Sequence, residues 1–223
     1  MVLTVLALIF TGCSKEDNTE PEVKAPSVGK DSVLVKVPQG LKESSDPMAQ
    51  YVVSFFNGLN RMSRYAHDIL PPGSASTFDA GMSGAIAYKW NDDHATYWLV
   101  YHEENGKCIW NVEADFGEGK AQYIHVEESC DQKNGDILVN LPEGGTFHAT
   151  WSYDDKNNIS FTITTTQNNM DFEVTGVINA DGSGHADTKM NGMVVLSVTW
   201  NADGSGSYTL YMSNPPHQGS WNG

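Results

Sequence analysis

Two periods of apolar residues divide this chain. Met48, Val52, Phe55, Phe56, Leu59, Met62, Ala66, Ile69 and Leu70 recur at three- and four-residue spacings, which gathers them on one stripe of a helix over 47–70. Asp46 is placed to cap that helix. Pro47 suits its first position, where an N–H would have no partner, and Leu70-Pro71-Pro72-Gly73 ends it. Arg61, Arg64, His67 and Asp68 fall off the stripe, so the stripe reads as a core-facing surface.

From about residue 83 the period changes to two. Segments at 84–90, 95–103, 108–116, 121–130, 137–141, 147–153, 159–166, 171–178, 185–190, 193–200 and 207–212 read as strands. Turn signals separate them at Asn105-Gly106, Asn134-Gly135, Gly144-Gly145, Asn168-Asn169, Asp181-Gly182, Asn191-Gly192 and Asp203-Gly204. Asn-Gly and Asp-Gly accept the positive φ that tight hairpins need. No gap is long enough for a crossover helix, so strands adjacent in sequence should pair. The expected fold is mainly β. It is an antiparallel meander of about ten or eleven strands curved into a barrel or half-barrel, with one N-terminal amphipathic helix packed on its concave face.

A hand pairing gives a register. A two-residue turn at Asn105-Gly106 sets Tyr101 opposite Trp110, Leu99 opposite Val112 and Tyr97 opposite Ala114. A hairpin centred on Gly119 sets Val112 opposite Val126, Ala114 opposite Ile124 and Cys108 opposite Cys130. A turn over 91–94 sets Tyr88 beside Tyr97 and Ile86 beside Leu99. One face then collects Ile86, Tyr88, Tyr97, Leu99, Tyr101, Trp110, Val112, Ile124 and Val126. The pairing also implies a Cys108–Cys130 disulfide, two buried thiols being the alternative. Later strands alternate in the same way: Phe147, Ala149, Trp151 and Tyr153 lie against His148, Thr150 and Ser152, a filled face and a hydroxylated wet one.

On the otherwise wet face, the same register places Trp98, Val100, Ile109 and Tyr123 together with His102 and His125. Exposed aromatics on a sheet stack on sugars or pack on a partner. Trp98, His102, Tyr123 and His125 are therefore the candidate ligand-binding residues. The other reading is that the tether, the 74–82 segment or a neighbouring strand covers them. Glu113 faces His125 in this register, a surface ion pair.

The first residues form an address. Val2 to Phe10 is apolar except for Thr4, and such a run is too short to span a bilayer. Phe10-Thr11-Gly12-Cys13 resembles a bacterial lipoprotein lipobox, and Ser14-Lys15-Glu16-Asp17 resembles the surface-export signal of Bacteroidota lipoproteins. The resemblance implies cleavage before Cys13 and a lipid on Cys13. It implies an export role for Lys15, Glu16 and Asp17, and an outer-membrane anchor with the body facing outward. The domains expected are a signal peptide over 1–12, an acidic flexible tether over 13–45, and a single helix-plus-meander domain over 46–223.

Charge narrows the partners. Net charge is −15, from 28 acidic against 13 basic residues, the opposite of the basic footprint that nucleic acid requires. The same balance disfavours adsorption to anionic headgroups, so membrane contact should come from the lipid. Cys108 and Cys130 remain an even pair for an oxidising compartment.

Asn179-Ala180-Asp181-Gly182-Ser183-Gly184 recurs as Asn201-Ala202-Asp203-Gly204-Ser205-Gly206. Oxygen side chains at alternate positions match the start of a calcium loop, but both copies lack the downstream glutamate, and the hexapeptide reads as a glycine-rich hairpin corner. Such corners, in this layout, resemble those of lipocalin-like meander domains in Bacteroidota lipoproteins. No nucleophile elbow, phosphate loop, zinc-protease motif or Cys-x-x-Cys is present. Acidic doublets such as Asp92-Asp93 point to opposite faces of a strand or lie in turns. The expectation is a non-enzymatic surface lipoprotein without metal or cofactor, binding a glycan or a protein. The alternative is a lipocalin-like carrier holding a hydrophobic small molecule in a barrel cavity.

Overall fold

In the computed structural model, the residues described are 37–47, 49–54, 56–57, 60, 71–131 and 133–222. The candidate lipid and export residues Cys13, Lys15, Glu16 and Asp17 lie outside them, as do Met48, Phe55, Leu59 and the whole of 61–70 from the proposed helix stripe.

The fold is mainly β. Thirteen strands form one antiparallel sheet in strict sequence order. The early strands are β1 (Ser76–Thr77), β2 (Ile86–Asn91), β3 (Thr96–Glu104), β4 (Lys107–Asp115), β5 (Ala121–Ser129), β6 (Asn134–Asn140) and β7 (Thr146–Tyr153). The later ones are β8 (Ile159–Gln167), β9 (Met170–Ile178), β10 (Gly184–Met190), β11 (Met193–Trp200), β12 (Gly206–Leu210) and β13 (His217–Trp221). The meander is as the sequence implies, because two- to eight-residue corners leave no room for crossovers. The short β1 and the terminal β13 escape the sequence reading. They are the two edges of the sheet, and it is not closed between them, so the closed form of the expected barrel does not hold.

Alternation builds the core. Leu99, Val112, Ile124, Val139, Ala149, Ile163, Val174, Ala186 and Val198 are all almost fully buried, one inward position after another across nine strands. A short helix α1 (Gln39–Glu43) precedes the sheet, within the stretch read as tether. Its Leu41 and the neighbouring Val37 are buried in the same core cluster, so packing begins upstream of Asp46. Helical residues follow between 47 and 60. Asp46 caps them as expected, its Oδ1 accepting the Ala49 N–H at 3.3 Å. The same oxygen accepts the Tyr208 hydroxyl at 2.7 Å, which fastens the cap to β12. Ala49, Val52 and Phe56 are buried, and the Phe56 ring meets Trp200 edge-on at 6.3 Å between centroids.

A second device shapes the sheet: large rings lie over glycines on the next strand. A Cβ on Gly135 would stand 2.0 Å from the Trp151 ring. On Gly176 it would meet Phe161 at 2.6 Å, and on Gly184 it would meet Trp200 at 2.5 Å. On Gly206 it would meet Trp221 at 2.2 Å, and on Gly219 it would meet Tyr208 at 2.4 Å. Each glycine pairs directly with its ring in the ladder. Glycine is required here because the ring occupies the space of a side chain. Gly135 is therefore not a turn glycine, as Asn134-Gly135 suggests, but lies inside β6.

Two hairpin registers differ from the hand pairing by two residues. In β2–β3, Tyr88 pairs with Leu99 and Ile86 with Tyr101. In β4–β5, Val112 pairs with Ile124, Trp110 with Val126 and Cys108 with Glu128. A two-residue slip leaves every side chain on its expected face, which is why the core list survives. The β3–β4 pairings, Tyr101 with Trp110, Leu99 with Val112 and Tyr97 with Ala114, are as expected. Asn105 and Gly106 both have the positive φ that such a turn needs, 51° and 77°.

Candidate functional site

The proposed aromatic patch does not assemble. A bulge between Val112 and Glu113 sets Glu113 opposite Gln122 and leaves Tyr123 as the extra residue of β5. The extra residue breaks the alternation and turns Tyr123 to the filled face. There it is buried, 5.3 Å from the Phe116 ring and 6.3 Å from the Tyr97 ring. Tyr97 in turn stacks on Trp90 at 5.3 Å. Tyr123 is thus a core residue and is separated from Trp98. Ile109 is also buried.

Trp98 stays on the opposite face, half-buried between its ladder partners Lys89 and Glu113. Lys89 Nζ lies 5.1 Å from the centre of its ring and Lys120 Nζ lies 5.0 Å from it. Lys120 also pairs with Glu113. The quadrupole of the indole draws both ammonium groups to it. A sugar stacking on this ring must therefore displace a lysine.

The histidines do not converge. His125 pairs with Asn111 in the ladder, and its Nδ1 donates to Asn111 Oδ1 at 2.7 Å. Glu113, its expected partner, is two residues away. His102 pairs with Ile109, and its Nε2 is 4.0 Å from Glu104. His102 Nδ1 is buried without a hydrogen-bond partner. The group of metal-ligating atoms found among the described residues is Glu103, Cys108 and Cys130, which contains no histidine. Both of its sulfurs are bonded to each other. The Cys108–Cys130 bridge forms with a Cα–Cα distance of 5.3 Å although Cys108 pairs with Glu128, because the reach is diagonal. Tyr101 closes this end of the hairpins by donating to Glu103 Oε1 at 2.7 Å. Burial pushes its hydroxyl well above the usual phenol range, and the Glu103 and Glu128 carboxylates push it further.

The repeated corners resolve as turns. In each, the asparagine amide donates to a serine hydroxyl at 2.9 Å, from Asn179 to Ser183 and from Asn201 to Ser205. Asp181 and Asp203 accept the hydroxyl and the backbone N–H of those serines, and these bonds hold both carboxyls below their ordinary value. Trp200 Nε1 donates to Gly182 O at 2.9 Å and Trp221 Nε1 donates to Gly204 O at 2.6 Å. Each corner therefore satisfies itself and seats a tryptophan.

A feature that sequence reasoning left undeveloped lies across the later strands. On the face away from the core, Thr150, Thr162 and Thr175 pair in succession across β7, β8 and β9. The row continues through Asp187, Ser197 and Thr209 on β10, β11 and β12. All six side chains are half-buried. Ser197 Oγ donates to Asp187 Oδ1 at 2.5 Å. At ~4.8 Å between strands the row spans roughly 24 Å. The threonine hydroxyls can donate or accept while the Asp187 carboxylate accepts, so the row offers both roles to a ligand lying across the strands. The threonine alternation was visible in sequence, but its alignment depends on register.

No protein-family model, no curated protein and no solved structure matches this chain.

Proposed function

We propose that the chain is a lipid-anchored, non-catalytic binding module of the bacterial outer membrane, and that the row from Thr150 to Thr209 takes an extended glycan facing the exterior. The observation that carries this reading is the unbroken row itself. A polysaccharide is a linear array of hydroxyls, and a line of six oxygen-bearing side chains complements it over several sugar units. In this reading the sheet curls as a half-barrel around the 47–70 helix, with Ala49, Val52 and Phe56 turned inward. Large rings buried together in one cluster favour a surface site over a carrier's cavity. Phe56, Trp110, Trp151 and Trp200 are each at most 3% exposed and share one cluster. The anchor rests on Phe10-Thr11-Gly12-Cys13 and the export role on Lys15, Glu16 and Asp17.

The test uses the full-length chain on an array of neutral and acidic polysaccharides, beside Thr162→Val and Thr175→Val. Valine keeps the shape and removes the hydroxyl. Binding of a polysaccharide that weakens about tenfold in the double variant, the equivalent of two hydrogen bonds of ~0.7 kcal/mol each, is the expected result. Binding that is absent, or unchanged in the double variant, would refute the row as the site. Mass analysis of Cys13 in the wild-type protein tests the anchor separately.

A further inference from the structure

Hairpin corners alternate between the two ends of the sheet, and over β7–β13 the ends differ in chemistry. The corners at 154–158, 179–183 and 201–205 share one end and carry Asp154, Asp155, Lys156, Asp181 and Asp203. At the other end, the connections Asn168-Asn169, Asn191-Gly192 and 211–216 carry no charged residue. This is unusual for a chain of net charge −15.

The uncharged end also holds five of the eight large apolar side chains exposed among the described residues. They are Met170 (45% exposed), Met193 (67%), Val194 (40%), Tyr211 (46%) and Met212 (64%). Backbone hydrogen bonds tie their segments to adjacent strands. Asn191 N donates to Asp171 O at 2.8 Å, which joins the first two connections, and Tyr211 N donates to Val195 O at 2.9 Å, which joins the third. Charges within these strand ends are partnered: Asp171 accepts from Thr166 at 2.8 Å, and Lys189 pairs with Glu173 at 2.6 Å; the adjoining corner over 141–145 carries Glu143.

We propose that this end of β7–β13 dips into the lipid interface of the membrane that carries the chain, which turns the acidic corners at 154–158, 179–183 and 201–205 outward. Contiguous exposed apolar surface marks a contact site. Three features select lipid as the occupant. The connections lack the charges that an interface penalises most. Unbranched methionines adapt to a fluid phase, and Tyr211 brings an apolar ring with a polar tip. The side chains sit at the strand ends of β9 and β11 and in the 211–216 connection, at one margin of the sheet where insertion needs no opening of the fold. The inference rests on the anchor reading for proximity: 23 residues lie between Cys13 and Val37, a tether of at most ~85 Å.

The test uses the full-length chain with Cys13→Ser, so that no acyl chain contributes. Cys108 and Cys130 are bridged, so Met193→Cys adds a single free thiol for an environment-sensitive dye, and Ala202→Cys adds one at the acidic end. On phosphatidylcholine vesicles the dye at 193 should shift to the blue and the dye at 202 should not. Replacing Met193, Tyr211 and Met212 together by serine should lower vesicle partitioning at least tenfold, with unchanged circular dichroism. Phosphatidylglycerol in the vesicles should weaken binding at low salt, because the body is acidic. Equal shifts at both positions, no shift, or partitioning unaffected by the triple variant would overturn the proposal. A shift that grows with protein concentration without vesicles would overturn it in favour of a second copy. Wild-type protein found without lipid on Cys13 would sink the anchor reading alone, since the vesicle result is obtained without the acyl chain.

Discussion

Gly184→Ala tests whether rings over glycines hold this sheet together. The new Cβ would stand 2.4 Å from the Val177 carbonyl oxygen and 2.5 Å from the Trp200 ring. The oxygen belongs to the β9 ladder and cannot yield without opening backbone hydrogen bonds. The ring can swing, but only by releasing its N–H from Gly182 O at 2.9 Å and its edge contact with Phe56 at 6.3 Å. Forcing a methyl into a packed core costs ~1–3 kcal/mol, and the lost indole hydrogen bond adds ~1 kcal/mol. The expected loss is about 3 kcal/mol, or roughly 6–12 °C in Tm for a domain of this size. Gly73→Ala is the control: a Cβ there meets nothing within 4 Å, and its φ is ordinary. Urea unfolding followed by tryptophan fluorescence reads both variants, and near-ultraviolet circular dichroism reports whether Trp200 has moved. A loss below ~0.5 kcal/mol for Gly184→Ala, with the Trp200 signal unchanged, would refute the reasoning.

The remaining predictions concern the bridge, the cap and the corners. Cys108→Ser with Cys130→Ser, or reduction of the wild type, should lower stability by about 3 kcal/mol, since the bridge closes a loop with a sequence separation of 22; an unmoved urea midpoint would contradict this. Tyr208→Phe should cost about 1.5 kcal/mol, because the hydroxyl donates to the Asp46 carboxylate, and differential scanning calorimetry measures it. Burial, then Asp46, raises the Tyr208 hydroxyl above its ordinary 10.0, as burial and then Glu103 and Glu128 do for Tyr101. Raised tyrosines contribute stability that is full below about pH 10 and falls as pH rises beyond it, and the fall should be shallower in Tyr208→Phe. Asp181 and Asp203 titrate the other way. Their serine hydrogen bonds lower them from 3.8, so their contribution is present above about pH 4 and is lost as pH falls further. Asp181→Asn with Asp203→Asn should flatten the acid limb of a pH-stability profile.

What the sequence carries, and what it does not, follows from how far each rule reaches. Strand alternation is local, so Leu99, Val112 and Ile163 announce their face without knowledge of any partner, and all three are buried. A two-residue corner is nearly local, so Asn105-Gly106 fixes β3 against β4 correctly. The corners at 92–95 and 116–120 are longer and can be centred in more than one way, which is where the two-residue slips arise. Such slips preserve faces, but a bulge does not. One extra residue carried Tyr123 from the wet face to the core and removed one of the two aromatic residues of the expected patch. Nothing in Ala121-Gln122-Tyr123-Ile124 marks it, because the bulge is a property of the pairing with β4 and not of the segment alone. Gly135 shows the same limit from the other side. Asn134-Gly135 carries a hairpin signal, yet Gly135 is glycine because the Trp151 ring, on the next strand, fills the place of its side chain. The row from Thr150 to Thr209 depends most on register, since five successive pairings must agree before six separate side chains become one line. Residue types that mean little in any one strand thus fall into one line only through the ladder. A sequence that keeps every hydroxyl but shifts one of these hairpins by two residues would keep its core and break the line.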